Sequence, residues 1–160
     1  MAGAHTRSIG GVAVEIRAAE PGEEESVVPL YEWLFASPGT KPETWDGKRA
    51  AVALREAIES RDSVVLVAVS EGSLVGFLTA YQDLRSVRFG YRAWVEDFAV
   101  HPKRRSQGIG KALLDAAKAW ARERGATHLE LDSGEARKDA HRFYEREAPS
   151  YRSFSYTWEL

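Results

Sequence analysis

Cysteine is absent from this 160-residue chain, which excludes disulfides, thiolate metal sites and a cysteine nucleophile. No apolar run nears the ~20 residues that a membrane-spanning helix needs. Residues 1–10 also lack the apolar core of a signal peptide. The expectation is a cytoplasmic protein with no membrane partner. The formal net charge is only −2, so no broad positive field exists and no nucleic-acid partner is expected. His101, His128 and His141 stand apart without metal-ligand spacing, so no metal is expected. Internal repeats and low-complexity tracts are lacking too. What is present is a folded composition, 44% hydrophobic and 29% charged, at a length that suits one substantial core. Residues 1–11 read as a disordered N-terminal segment, and 12–160 as a single domain.

That domain is organised around Trp94 to Gly125, WVEDFAVHPKRRSQGIGKALLDAAKAWARERG. An apolar strand turns at His101-Pro102 and passes a basic patch, Lys103 to Arg105. Gly108 and Gly110 then open a helix whose apolar face is Ile109, Leu113, Ala116, Ala117 and Trp120. Gly125 ends it, as glycine often does just past a helix C-terminus. A strand feeding a glycine turn and a helix N-terminus offers free N–H groups and the positive end of the dipole to an anion. Glycine also lets a phosphate approach the backbone closely. Two familiar phosphate motifs fail here. A P-loop would need glycine at Arg105 and Ser or Thr at Ala112, and the dinucleotide fingerprint a third glycine at Leu113.

Around this stretch the chain reads as alternating elements. Val12 to Arg17 is a first strand, and Pro21 with Glu23 to Glu25 opens a helix suited to acidic residues. Val27, Leu30, Tyr31, Leu34 and Phe35 give that helix a buried face, and the three glutamates read as its solvated start. A second helix carries Ala51, Leu54 and Ile58 and ends near Ser60. Val64 to Val69 is a continuous apolar run, a strand buried on both faces. It turns at Glu71-Gly72 into Leu74 to Tyr81, forming a hairpin. Gln82 to Arg92, with Arg85 and Arg88, is a polar loop expected to touch substrate or a partner subunit. His128 to Asp132 is a further strand, and Ala136 to Tyr144 a further helix. Phe154 to Leu160 alternates apolar and polar residues, the pattern of a half-buried strand.

Arg105-x-x-Gly108-x-Gly110, set between strand and helix, resembles the acetyl-coenzyme A pyrophosphate signature of the GCN5-related N-acetyltransferases (GNAT superfamily). A second segment, Ala136 to Glu145, resembles that family's fourth-helix segment, in which an apolar-Tyr pair precedes a charged turn. Val95 to Val100 is similar to the matching strand of spermidine/spermine N-acetyltransferases, and the similarity covers roughly the last 70 residues. The resemblance implies an α/β fold: a mixed, mostly antiparallel sheet of six to seven strands. Its central strands splay apart, and helices cover both faces.

It also implies a site. Acetyl-coenzyme A would be the cosubstrate, its pantetheine pairing with the backbone of Phe98, Ala99 and Val100. Its pyrophosphate would lie on Arg105, Ser106, Gln107, Gly108, Ile109, Gly110 and Lys111. Arg137 stands where the family often has a pantetheine-binding asparagine, and it could serve a phosphate instead. Tyr144 matches the tyrosine that protonates the departing thiolate, and Glu96 the glutamate that handles the substrate amine. Glu96 and Asp97 are adjacent carboxylates in an otherwise apolar strand, which is costly unless they are paired or functional. In a regular strand Trp94, Glu96 and Phe98 would share one face and Val95, Asp97 and Ala99 the other. Asp132 is a third candidate for facing the amine. The expected activity is acetylation of a small primary amine, with a protein acetyltransferase or a non-catalytic acyl-coenzyme A sensor as alternatives. A homodimer is expected from the apolar edge of the last strand. The usual Gly-Phe after the tyrosine is replaced by Glu147 to Ser150, so the strand that follows it in the family is shortened or missing here.

Overall fold

The computed structural model describes residues 5–9, 11–83 and 85–160, with only the backbone of Ile9. Its six strands form one sheet in sequence order: β1 (His5–Ile9), β2 (Val12–Ala18), β3 (Ser63–Ser70), β4 (Ser73–Gln82), β5 (Tyr91–Val100) and β6 (Ala126–Leu131). The first five pair antiparallel, and β6 lies parallel to β5. This is the mixed α/β sheet expected from the sequence. The β3–β4 hairpin turns through Glu71 and Gly72, both with positive φ (51° and 73°). Two such residues match the right-handed twist of the strands.

Helices cover both faces. On one lies α4 (Ile109–Glu123), whose Leu113, Ala117 and Trp120 are buried against Val14, Leu66, Leu78 and Val95. On the other lie α1 (Glu24–Val27), α2 (Tyr31–Phe35) and α3 (Gly47–Glu59). Their Val27, Leu30, Tyr31 and Leu54 pack on Val65, Val67, Phe77 and Ala99. Because β3 sends side chains into both clusters, its near-continuous apolar run is explained. Pro29 breaks the expected first helix: residues 28–30 form a 3-10 turn between α1 and α2, since proline lacks the N–H an α-helix interior requires. Asp46 caps α3 by accepting from the N–H of Arg49 at 2.7 Å. A last helix, α5 (Lys138–Arg146), follows β6.

Several expectations are corrected. The N-terminal segment is not wholly disordered, because His5–Ile9 pairs along β2 from His5↔Ile16 to Ile9↔Val12; residues 1–4 and 10 lie outside the described residues. Phe154 to Leu160 is not a strand: it carries no regular structure and is exposed, with Phe154 91% and Trp158 77% accessible. Its alternation has no sheet face to serve. The acidic start of α1 is not merely solvated. Glu23 takes both Arg17 guanidinium nitrogens at 2.7 Å, and Glu24, only 4% exposed, accepts from Arg55 Nε at 2.7 Å.

Replacement of Leu113, which has no exposed surface, tests this core. Leu113→Ala is expected to lower unfolding free energy by about 2–5 kcal/mol in urea titration. The exposed Val52→Ala on α3 should stay within about 0.5 kcal/mol of wild type.

Candidate active site

The site begins where β5 carries one residue too many. Thr79 pairs with Asp97 and Ala80 with Val95, so Glu96 is the extra residue of a β-bulge. The bulge corrects the regular alternation expected for this strand. Val95 and Phe98 both pack toward α4, whereas Asp97 and Ala99 face α1–α3. Glu96 is left on an exposed kink between the two faces.

The same strand loses its other neighbour nearby. Parallel pairing with β6 runs from Tyr91↔Ala126 to Val95↔Leu131 and stops there. Residues 97–100 are therefore paired to β4 on one side and, among the described residues, to no strand on the other. Phe98, Ala99 and Val100, the positions expected to meet pantetheine, border this wedge. The side chain of Ala99 is buried in the α1–α3 cluster, which leaves its backbone as the part able to bind. Tyr144 and Phe143 of α5 close the wedge, with ring centroids 6.5 Å and 5.9 Å from that of Phe98. Burial pushes the Tyr144 hydroxyl up to about 12, against a smaller lowering by the Arg137 guanidinium.

Beyond β5 the glycine turn stands as expected. Ser106 (φ 60°) and Gly108 (φ 95°) both take left-handed backbone, and no side chain caps α4. The first intrahelical bond is Ala112 N–H to Gly108 O, at 3.0 Å. The N–H groups of Ile109, Gly110 and Lys111 thus have no intrahelical acceptor. Ile109 sends its side chain into the core at 1% exposure. A Cβ on Gly110 would meet Phe143 and Phe98 at 3.6 Å, so the helix start lies against the wedge. Arg105 is exposed and its Nε donates to Val100 O at 3.3 Å. The turn is braced by Gln107, which accepts from Arg104 Nε at 3.0 Å and donates to Lys103 O at 3.2 Å. Lys111 Nζ is held by Asp115 and by Glu147. Arg137 is tied elsewhere: its Nη2 donates to Leu34 O at 2.9 Å, joining α5 to the end of α2.

The carboxylates divide by role. Asp97 Oδ2 accepts from the Tyr31 hydroxyl at 2.7 Å and from Thr79 Oγ1 at 3.3 Å, and the Asp97 N–H donates to Thr79 Oγ1 at 3.0 Å. Burial raises its pKa while those two hydroxyls lower it. Among the described residues, Glu96 Oε2 accepts only from Trp94 Nε1, at 3.1 Å. Its pKa is raised by burial, then by the charges of Asp97 and Asp132, against lowering by Trp94. Asp132 is exposed just past β6, close enough for its charge to act on Glu96. On the α1–α3 face, Glu96 and Asp97 border a pocket of about 390 Å³ walled by Tyr31, Phe35, Trp45 and Tyr81. The sequence reading gave these aromatics no functional role. The signal was the aromatic density from Tyr31 to Trp45. A wider depression of about 540 Å³, around Asp83 and Arg85, includes none of the motif residues. In the Gln82–Arg92 segment, Arg92 is spent on Asp83 (2.7 Å) and Glu130 (3.2 Å); Leu84 lies outside the described residues. Among the described residues no group of His, Asp and Glu is arranged to hold a metal, and no helix is long and apolar enough to cross a membrane.

A sheet split at one edge, an uncapped glycine turn in the gap and a tyrosine over it define an acyltransferase architecture. The pattern of the Acetyltransferase (GNAT) family matches residues 27–148. The chain belongs to that family, and its domain is an N-acetyltransferase domain. It is 39% identical over 89 residues to the uncharacterized N-acetyltransferase YhdJ of Bacillus subtilis (strain 168), covering 56% of this chain and 63% of YhdJ. The match thus spans slightly under two thirds of that relative. YhfO, an uncharacterized N-acetyltransferase of the same organism, is 29% identical over 133 residues, 83% of this chain and 87% of YhfO. Among solved structures, aminoglycoside N-acetyltransferase AAC(6')-Iy in complex with CoA superposes with a TM-score of 0.79 at 16% identity, covering 99% of this chain and 96% of that one. At that identity the likeness speaks for the fold.

Gly108 and Gly125 flank α4 with positive φ (95° and 73°). Alanine at either should cost about 1–2 kcal/mol of stability. Only Gly108→Ala should also weaken coenzyme A binding, by about tenfold in calorimetry, an effect of about 1.4 kcal/mol.

Proposed function

We propose that the protein transfers the acetyl group of acetyl-coenzyme A directly to the primary amine of a small cationic molecule, polyamine-like or otherwise. The observation that carries this reading is a convergence where β5 leaves β6. There the uncapped start of α4, the unpaired edge of residues 96–100 and the Tyr144 ring border one wedge. The N–H groups from Gly108 to Lys111 would hold the pyrophosphate, with Arg105 beside them, and Phe98 to Val100 would pair with the pantetheine amides. Arg137 would position α5 through Leu34 and favour anionic charge near Tyr144. Acetyl-coenzyme A supplies an acetyl thioester that an amine can attack with loss of the thiol. Because the chain has no cysteine, an acyl-cysteine route is closed and transfer from a ternary complex is favoured. Acetyl-coenzyme A is a metabolite of the cell interior, which supports a cytoplasmic site of action.

Tyr144 is the proton donor at its phenolic oxygen. At a pKa of about 12 it lies ~3.5 units above a thiol near 8.5, so full transfer to a thiolate is uphill by about 5 kcal/mol. That fits within the barrier of about 16 kcal/mol that a turnover of ~10 s⁻¹ implies. Tyr144 stays protonated at neutral pH and donates only as charge develops. Glu96 handles the amine. An alkylammonium near 10.4 lies ~6 units above an ordinary glutamate, making direct proton capture uphill by about 8 kcal/mol. The raised pKa of Glu96 narrows that gap. Its role is to hold the ammonium and pass its proton through water to solvent, with Asp97 and Asp132 adding negative charge.

We also infer that two copies associate. The observation in support is the exposed terminal segment, where Phe154, Tyr156 and Trp158 stand out at 91%, 76% and 77% accessibility; such apolar surface favours a protein partner. Light scattering at micromolar concentration should give twice the 17.8 kDa chain mass, and a monomeric mass would contradict it.

Tyr144→Phe is expected to leave coenzyme A affinity intact and to lower turnover by roughly 10²–10⁴-fold, the worth of a positioned general acid. Full turnover with chemistry rate-limiting would remove Tyr144 from the mechanism. Glu96→Gln should weaken both amine binding and turnover, with a defect that shrinks as pH nears the amine's own pKa. In the wild type the ionised Glu96 is the binding form, so kcat/KM should fall as pH drops through a group above the ordinary ~4.3. That acid limb should vanish in Glu96→Gln.

A further inference from the structure

The pocket beside Glu96 and Asp97 has a chemistry of its own. Its body is a packed set of rings: Tyr31 and Trp45 with centroids 5.1 Å apart, Phe35 and Trp45 edge-to-face at 4.6 Å, and Tyr31 against Phe35 at 6.0 Å. Small residues of α3, Ala50, Ala53 and Ala57, form the facing wall and leave the space open. At about 390 Å³ the cavity lies within the range of small-molecule sites.

Among the described residues, the charge of the lining itself is acidic. Glu96 and Asp97 are the acids of the lining, and no Lys, Arg or His contributes to it. The next acid toward α2, Glu32, is already joined to Lys41 at 2.8 Å. Three wall hydroxyls are spent, which leaves the Tyr81 hydroxyl and the Trp45 indole N–H as the side-chain donors of the walls. The Tyr31 and Thr79 hydroxyls donate to Asp97, and the Ser63 hydroxyl donates to Ala57 O at 2.8 Å. A ligand with many hydroxyls would lose more hydrogen bonds to water here than those two donors and the acids restore. One with a second ammonium would leave that charge among aromatic and alanine side chains without an acid. The cation nearest these rings, the Lys41 ammonium 5.9 Å from the Phe35 centroid, is already paired with Glu32, so an acidic amine would gain little from it.

We propose that the acceptor is a monoamine with an apolar or aromatic body, its single ammonium held at Glu96 and Asp97 and its body packed on Tyr31, Phe35 and Trp45. This rests on reading the pocket as the acceptor half of the transferase, and it narrows the cationic class to amines with one charge. Trp45 is then the specificity-determining residue. It forms the ring wall, and it lies on the α2–α3 connection rather than in the split sheet that serves the cofactor.

The test compares 2-phenylethylamine, ethylamine, spermidine and kanamycin as acceptors by thiol release, and measures 2-phenylethylamine binding by calorimetry without cofactor. The expected result is a kcat/KM for 2-phenylethylamine at least tenfold above those of the other three. Trp45→Ala should lower it by about 10- to 100-fold and lower the ethylamine value by a clearly smaller factor, while Trp45→Phe should retain most of it. If Trp45→Ala does not fold, Ala53→Phe, which fills the cavity from an exposed position of α3, should produce the same selective loss. Higher kcat/KM for spermidine or kanamycin, or an equal loss for both monoamines in Trp45→Ala, would overturn the proposal. Should no amine release thiol, the transferase reading fails, and calorimetry alone decides the pocket. Binding of 2-phenylethylamine that is lost in Trp45→Ala would uphold the monoamine site, and no binding to the wild type would overturn it.

Discussion

Parallel pairing that stops halfway along β5 is the constraint on which the rest of this site depends. Up to Val95 the strand is locked between β4 and β6. Past Val95 it keeps β4 and loses β6, so half a strand presents backbone donors and acceptors to a gap. Such groups are costly when buried without partners, and a ligand with amides of its own would satisfy them. The bulge at Glu96 falls at the same point. It turns the strand, moves Phe98 onto the α4 face under Tyr144, and turns Asp97 toward Tyr31. One inserted residue thus separates the side on which the proposed cofactor would lie from that of the proposed acceptor, called below the cofactor side and the acceptor side.

The two sides are stabilised by different means. On the cofactor side the framework is α4, whose Leu113, Ala117 and Trp120 are buried to 2% exposure or less. That packing fixes the direction in which the helix start points. On the acceptor side the framework is aromatic and polar. Tyr31 packs against Phe77 at 4.8 Å and binds Asp97 through its hydroxyl. Asp97 therefore serves first to anchor α2 on the sheet, and Glu96, with the Trp94 indole as its one partner among the described residues, would be free to meet a substrate.

Much of this was legible in the residues. The apolar run of β3 announced burial on both faces, Glu71-Gly72 the hairpin, and Gly108 and Gly125 the ends of α4. These are local signals, fixed by backbone sterics and periodicity. The bulge was not legible, because alternation in Val95 to Val100 looks the same whether or not one residue is skipped; only the partner strand reveals the count. The part played by Trp45 was not legible for a similar reason, since aromatic density alone does not show that the connection to α3 folds its ring back against Tyr31 and Phe35. The tail from Phe154 misled, because alternation without a neighbouring strand is only a pattern. Arg137 also could not be placed from sequence, as its partner, the Leu34 carbonyl, lies 103 residues away.

The central claim is that the wedge between β5 and β6 receives coenzyme A. Backbone amide NMR during titration with coenzyme A tests it most directly. The account predicts the largest shifts at Phe98 to Val100 and at Ser106 to Lys111, with small changes around Trp45 and in β1. Shifts centred on Asp83 and Arg85, or spread evenly over the sheet, would contradict it.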